Sequence, residues 1–182
     1  MLRNKSILKE QLNRFTKSEL VDILAKISAK RFNYEFLLVN YLDTEGGEEL
    51  LFEEAKEDVI LLTQKEFKGR TAQHQMVKSL KACTNRIKDF TEETKDKKLE
   101  ADLILLVLKI QFSENAEIFG AKYSGYDYKV GLLLKRLINL ISTKLHADYL
   151  VDYQDEINDM LKMLHQTSNR INTIKSLPKK IE

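Results

Sequence analysis

The chain has 182 residues, 43% hydrophobic and 32% charged, with a formal net charge of +2. That length suits one ordinary domain, and the composition excludes wholesale disorder while leaving nucleic-acid binding neither favoured nor excluded. One proline, six glycines and no tryptophan, in a sequence rich in Leu, Lys, Glu and Ile, predict an all-α protein.

Apolar residues recur at helical spacing, and no period-2 strand is visible. Residues 6–14 predict a short helix. The next, over about 17–29, opens on "TKSE", a capping box in which Thr16 and Glu19 satisfy each other's backbone N–H groups; Leu20, Ile23, Leu24 and Ile27 are its expected buried face. A third helix is expected near 32–43. Gly46-Gly47 precedes a long helix at 48–67, with Glu48 and Glu49 in its first turn, where they complement the helix dipole.

The helix expected at about 71–90 carries the apolar stripe Met76, Leu80, Cys83, Ile87 and Phe90. His74, Lys78, Lys81, Asn85 and Lys88 are displaced from that stripe by two positions, a turn of about 200°, which points them to solvent. After the polar "TEETKDKK" comes the most apolar segment, "ADLILLVLKIQF", in the helix expected at 97–118. Its uncharged core, Leu103–Leu108, is far shorter than the roughly 20 residues that span a bilayer, so a buried helix is expected and no membrane partner. Helices at about 127–146 and 148–174 follow, then a loose tail after residue 176. Seven to eight helices in antiparallel hairpins make either a compact bundle or a short, irregular solenoid-like stack, in one domain over 1–176.

Charge alternates in blocks: residues 44–66 hold eight acids and two bases, and residues 67–90 hold one acid and six bases. Such blocks suit neighbouring helices of complementary charge.

Enzymatic signatures are sparse. His74, His146 and His165 fit no HExxH or ExxH spacing, and no phosphate-binding glycine motif occurs, so no cofactor or metal is expected. Cys83, on its apolar stripe, is expected to be a small core residue; as a lone cysteine it forms no intramolecular disulfide, which suits a cytoplasmic protein. The opening "MLRNKSILKEQL" has no apolar run of signal-peptide length. Asp152, Asp155, Glu156 and Asp159 share a helix face that can hold a hard cation, but a solvated acidic face explains them without any metal and is the expected reading.

The stretch "FGAKYSGYDYKVG" concentrates three of the six glycines and three of the seven tyrosines. Lys122, Tyr123, Tyr126, Tyr128 and Lys129 are residue types that stack bases and hold phosphates. Together with Lys78, Lys81 and Lys88 they form the candidate nucleic-acid surface. The competing reading makes the stretch punctuation between two helices, with Gly120 ending the first and the tyrosines filling the gap.

"FTKSELVDILAK" resembles the first helix of SAP-like DNA-binding modules, whose loop and second helix are not visible in "ISAKRFNYEFLL". "ILKEQLNRFTKSELVDILAKISAKRFNYEFLLVNYL" and "ADLILLVLKIQFSENAEIFG" are similar to portions of an all-helical bacterial family of unknown function. "DEINDMLKMLHQTSNRINTIK" departs from that family. The resemblance implies an all-helical bacterial protein and carries no functional residues.

The leading expectation is a non-catalytic scaffold or adaptor that binds a protein partner. The alternatives are a nucleic-acid-binding protein and an enzyme whose site leaves no linear motif, with a histidine as its acid–base group. A homodimer is compatible with long helices carrying exposed stripes.

Overall fold

The computed structural model describes residues 5–30, 33–34, 37, 41, 46–64, 67, 71–121, 125–168 and 174–182. Seven α-helices and no strand are found among them: α1 Lys5–Leu12, α2 Lys17–Ser28, α3 Gly47–Thr63, α4 Ala72–Thr94, α5 Lys97–Glu114, α6 Tyr126–Lys144 and α7 Leu150–Thr167. The fold class is all-α, as expected. Most of the helix expected at 32–43 lies outside the described residues. No helix among those described is long and apolar enough to cross a membrane.

Contacts divide the chain into two compact units, residues 1–48 and 49–182, where the sequence suggested one domain. In the first, the capping box of α2 is complete. The Thr16 N–H donates to the Glu19 carboxylate at 2.8 Å, and the Glu19 N–H donates to the Thr16 hydroxyl at 3.3 Å. Those bonds hold the Glu19 carboxyl below its ordinary range. The predicted burial of this helix is corrected: α2 has no buried residue, and Leu24 and Ile27 stand exposed. Its helicity rests on local signals and not on a covered face.

The second unit is a bundle. Leu51, Ala55, Val59 and Thr63 form one buried row along α3. Against it α4 runs antiparallel: Phe52 meets Phe90, Asp58 meets Arg86, Val59 meets Cys83, and Leu62 meets Ser79. The predicted stripe of α4 is buried throughout, as is Cys83, whose thiol burial pushes up to about 11. A thiol so protonated is a poor nucleophile near neutral pH.

Helix α4 runs on to Thr94, so most of the expected polar connector is helical. Only Lys95, in the left-handed region at φ 61°, and Asp96 separate it from α5; the Asp96 carboxylate caps α5 by accepting from the Leu99 N–H at 2.8 Å. Residues of α5 from Glu100 to Phe112 are buried on most of its circumference, and α4, α5 and α6 pack mutually. That closure makes this unit a compact bundle, not an open stack. Because α5 is antiparallel to both neighbours, α4 and α6 run in the same direction.

Between α5 and α6 the chain makes a short 3-10 turn, Ala116–Ile118, and then Gly120 at φ 81°. Gly120 thus sits one turn beyond the end of α5 and not at its cap. Its N–H donates to the Asp127 carboxylate at 2.8 Å, and Phe119 lies between Phe112, tilted against it, and Tyr126, stacked on it.

Helix α7 packs on α6 and reaches α5. Its predicted core residues Tyr153, Ile157, Met160 and Leu164 are buried; Ile171, expected with them, lies outside the described residues. The tail expected to be loose makes contacts of its own. Ile174 and Leu177 are buried, and Ile181 hydrogen-bonds to Asn158 through both its N–H, at 2.8 Å, and its C=O, at 3.2 Å.

Candidate partner-binding cleft

The phase of α4 places His74, Lys78, Lys81, Asn85 and Lys88 on its exposed side, as their spacing predicts. Lys88 pairs with Glu92 at 3.3 Å across one exposed turn. Lys78 and Lys81 form no ion pair among the described residues. The acids proposed to tie them down are elsewhere engaged or apart, as with Glu53, which pairs with Lys56 at 3.0 Å.

Helix α6 has its own exposed side. Tyr126 and Tyr128 are two positions apart, so they point nearly oppositely. Tyr126 is fully buried, stacked on Phe119 at 5.5 Å, and its hydroxyl donates to Gln111 at 2.7 Å. Burial raises its phenol pKa, and no ring face is left for a base. That removes Tyr126 from the candidate contact residues. Tyr128 is 43% exposed, with the Lys129 ammonium 5.6 Å from its ring centroid. Lys122 and Tyr123 lie outside the described residues.

The packing of α4 beside α6 brings Lys81 and Lys129 together, and with them a residue the sequence did not single out. Leu80, Lys81 and Thr84 of α4 face Lys129, Leu132, Leu133 and Arg136 of α6 across a cleft of about 250 Å³. Buried Leu80 and Leu133 form its floor, and Leu132, 40% exposed, stands at the lip. No acid lines it among the described residues.

Arg136 is held from behind. Its guanidinium donates to the buried Glu100 carboxylate of α5 at 2.7 Å, and Lys97 donates to the other oxygen at 2.7 Å. Burial works to raise the Glu100 pKa, but these two bonds outweigh it and hold the carboxyl below its ordinary range. Glu100 thereby fixes Arg136 at the cleft wall and offsets part of its charge, whereas Lys81 and Lys129 keep theirs.

The signal for the missed residues lay in their spacing. Lys129, Leu132, Leu133 and Arg136 are at i, i+3, i+4 and i+7, one stripe of a helix. Finding the cleft also required knowing that α4 lies beside α6.

The acidic face of α7 gathers no metal site. Asp152, Asp155 and Asp159 are exposed, and Glu156 pairs with Lys109 of α5 at 2.7 Å. No three His, Cys, Asp or Glu side chains converge on a common point among the described residues. Of the histidines, His74 is exposed on α4, His146 caps the short Ala147–Tyr149 turn, and His165 contacts the Pro178 carbonyl at 3.1 Å. An apolar floor ringed by cations can seat an apolar side chain and neutralise acids beside it. No family model, curated protein or solved structure matches the chain.

Proposed function

We propose that the protein is a non-catalytic cytoplasmic binding module, and that the cleft between α4 and α6 takes an acidic segment of a protein partner through an apolar anchor residue. The observation that carries this reading is the gathering of Lys81, Lys129 and Arg136 around Leu80, Leu132 and Leu133 with no acid among the described residues of the lining. Leucine surface gives affinity through removal from water, and the cations select an anionic partner and speed its encounter.

A test uses two fluorescent probes, a short acidic peptide with one leucine per turn and an oligonucleotide, single- or double-stranded. Each is titrated by anisotropy at low and moderate salt. The expected result is peptide binding that weakens with Lys81→Glu and Lys129→Glu and also with Leu132→Ser. Peptide binding indifferent to all three substitutions, or none at all, removes the reading.

A nucleic-acid ligand is the second reading, favoured by the unpaired Lys78 and Lys81 and by exposed Tyr128 next to Lys129. Oligonucleotide binding that falls steeply with salt, and survives Leu132→Ser, would select it.

A further inference from the structure

The contacts made by residues 174–182 point to a second surface, on α7. In an extended residue, N–H and C=O project to the same side, and a carboxamide matches that pair with one acceptor and one donor. Asn158 does this to Ile181: its Oδ1 accepts from the N–H at 2.8 Å, and its Nδ2 donates to the C=O at 3.2 Å. Gln154, one turn earlier on the same face, donates to the same carbonyl at 3.3 Å. Two turns beyond Asn158, His165 Nε2 meets the Pro178 carbonyl at 3.1 Å, donating when it carries the proton. The segment therefore lies antiparallel to α7, and all four contacts read its backbone.

Side chains supply the anchors. Leu177 is buried at one end, and Ile174 is buried before it. Between Leu177 and Ile181 the segment does not fill the space beneath it. A depression of about 600 Å³ remains, lined among others by Lys162, Lys179 and Lys180. The segment is thus fastened at its two ends and open in the middle.

We infer that the Gln154–Asn158–His165 face of α7 is a recognition surface for an extended peptide, which residues 174–182 occupy in cis. Backbone pairing makes the surface tolerant of sequence, and the two apolar anchors, Ile174 and Leu177, followed by Pro178, define the chemistry of the peptide it takes. A partner strand of that chemistry competes with the tethered segment, whose effective concentration sets the threshold for exchange.

The test uses the full chain and a labelled peptide with the sequence of residues 174–182. Ile181→Pro deletes the N–H that Asn158 accepts and lies at the edge of the fold, so the helices stay packed. The expected result is peptide binding about tenfold tighter to the Ile181→Pro protein than to the unaltered chain, because the cis competitor is weakened. Adding Asn158→Ala should cancel most of that gain, and a peptide with proline at the position of Ile181 should bind neither protein. Equal affinity for the unaltered and Ile181→Pro proteins, no binding to either, or indifference to Asn158→Ala would each overturn the inference. A second measurement follows amide exchange of Ile181 in the Asn158→Ala protein; it should quicken about tenfold, and an unchanged rate also counts against the clamp.

Discussion

Along the seam between α5 and α7, charges meet partners. Lys98 and the Tyr153 hydroxyl both donate to Asp102 at 2.6 Å, and Lys109 pairs with Glu156 at 2.7 Å. Along the cleft between α4 and α6, Lys78, Lys81 and Lys129 find no carboxylate among the described residues, and only Arg136 is paired, to a residue behind it. The two regions use similar side chains for different ends. The Tyr153–Asp102 bond and the Lys109–Glu156 pair cross the seam and orient α7 on α5. The cleft lysines have no carboxylate partner among the described residues, and Glu100 belongs to both schemes because it stabilises the core while steadying one wall of the cleft.

The sharpest way to break that distinction is Glu100→Gln. It should cost about 2 kcal/mol, below the roughly 3–5 kcal/mol for disrupting a fully buried pair because Lys97 and Arg136 remain partly in water, and lower the thermal midpoint in circular dichroism. The same change should strengthen binding of the acidic peptide by releasing Arg136, so stability and affinity move in opposite directions. It should also alter acid unfolding. A carboxyl held low in the folded state contributes stability above its ordinary pKa, and that contribution is lost as pH falls through the lowered value. The variant should show a shallower loss of stability below about pH 4.5.

Reversing both free cations, Lys81→Glu with Lys129→Glu, should weaken the acidic peptide at least about tenfold, or 1.4 kcal/mol, in the anisotropy titration. The thermal midpoint should hardly move, since neither lysine has a carboxylate partner among the described residues and the contact of Lys129 with the exposed Tyr128 ring is a surface one; a large drop would mean that the cleft cations serve the fold after all. At the seam, Tyr153→Phe should cost about 1 kcal/mol in urea unfolding through loss of one hydrogen bond. Burial, together with the bond to Asp102, raises the Tyr153 pKa. Its contribution is therefore full below the ordinary phenol pKa and is lost as pH rises through the raised value, so the variant should flatten the alkaline limb above about pH 10. The smallest effect belongs to Lys109→Met, an exposed pair, at under about 0.5 kcal/mol. A larger loss would make that end of the seam a structural latch.

Much of the architecture was legible because it is written locally. The α4 stripe, its exposed basic row and the Thr16–Glu19 box all follow from spacing within one turn or two. What stayed hidden depends on which helices become neighbours. Glu100 and Gln111 are polar residues buried in α5, made tolerable by Arg136 and Tyr126 far along the chain. Tyr126 and Tyr128 exchange roles according to where α6 begins, and a loop rich in glycine leaves that phase undetermined. The burial expected for α2 was not found, because an amphipathic pattern specifies a face without specifying what covers it. Leu177 and Ile181 looked like a loose end, since their anchors are a single leucine and backbone groups with no sequence signature.

The link between α4 and α5, only two residues long, has a kinetic consequence. Most pairings in residues 49–182 join helices adjacent in sequence, so loop-closure costs are small and folding is expected on the microsecond-to-millisecond scale. The cleft is different, since α4 and α6, though packed together, are separated in sequence by the whole of α5. In a stopped-flow comparison, truncating Leu108 in α5 should mainly slow refolding, whereas truncating Leu133 in the cleft floor should mainly speed unfolding. The surface proposed to take a partner is then also expected among the last to close as the chain folds and among the first to part when it opens.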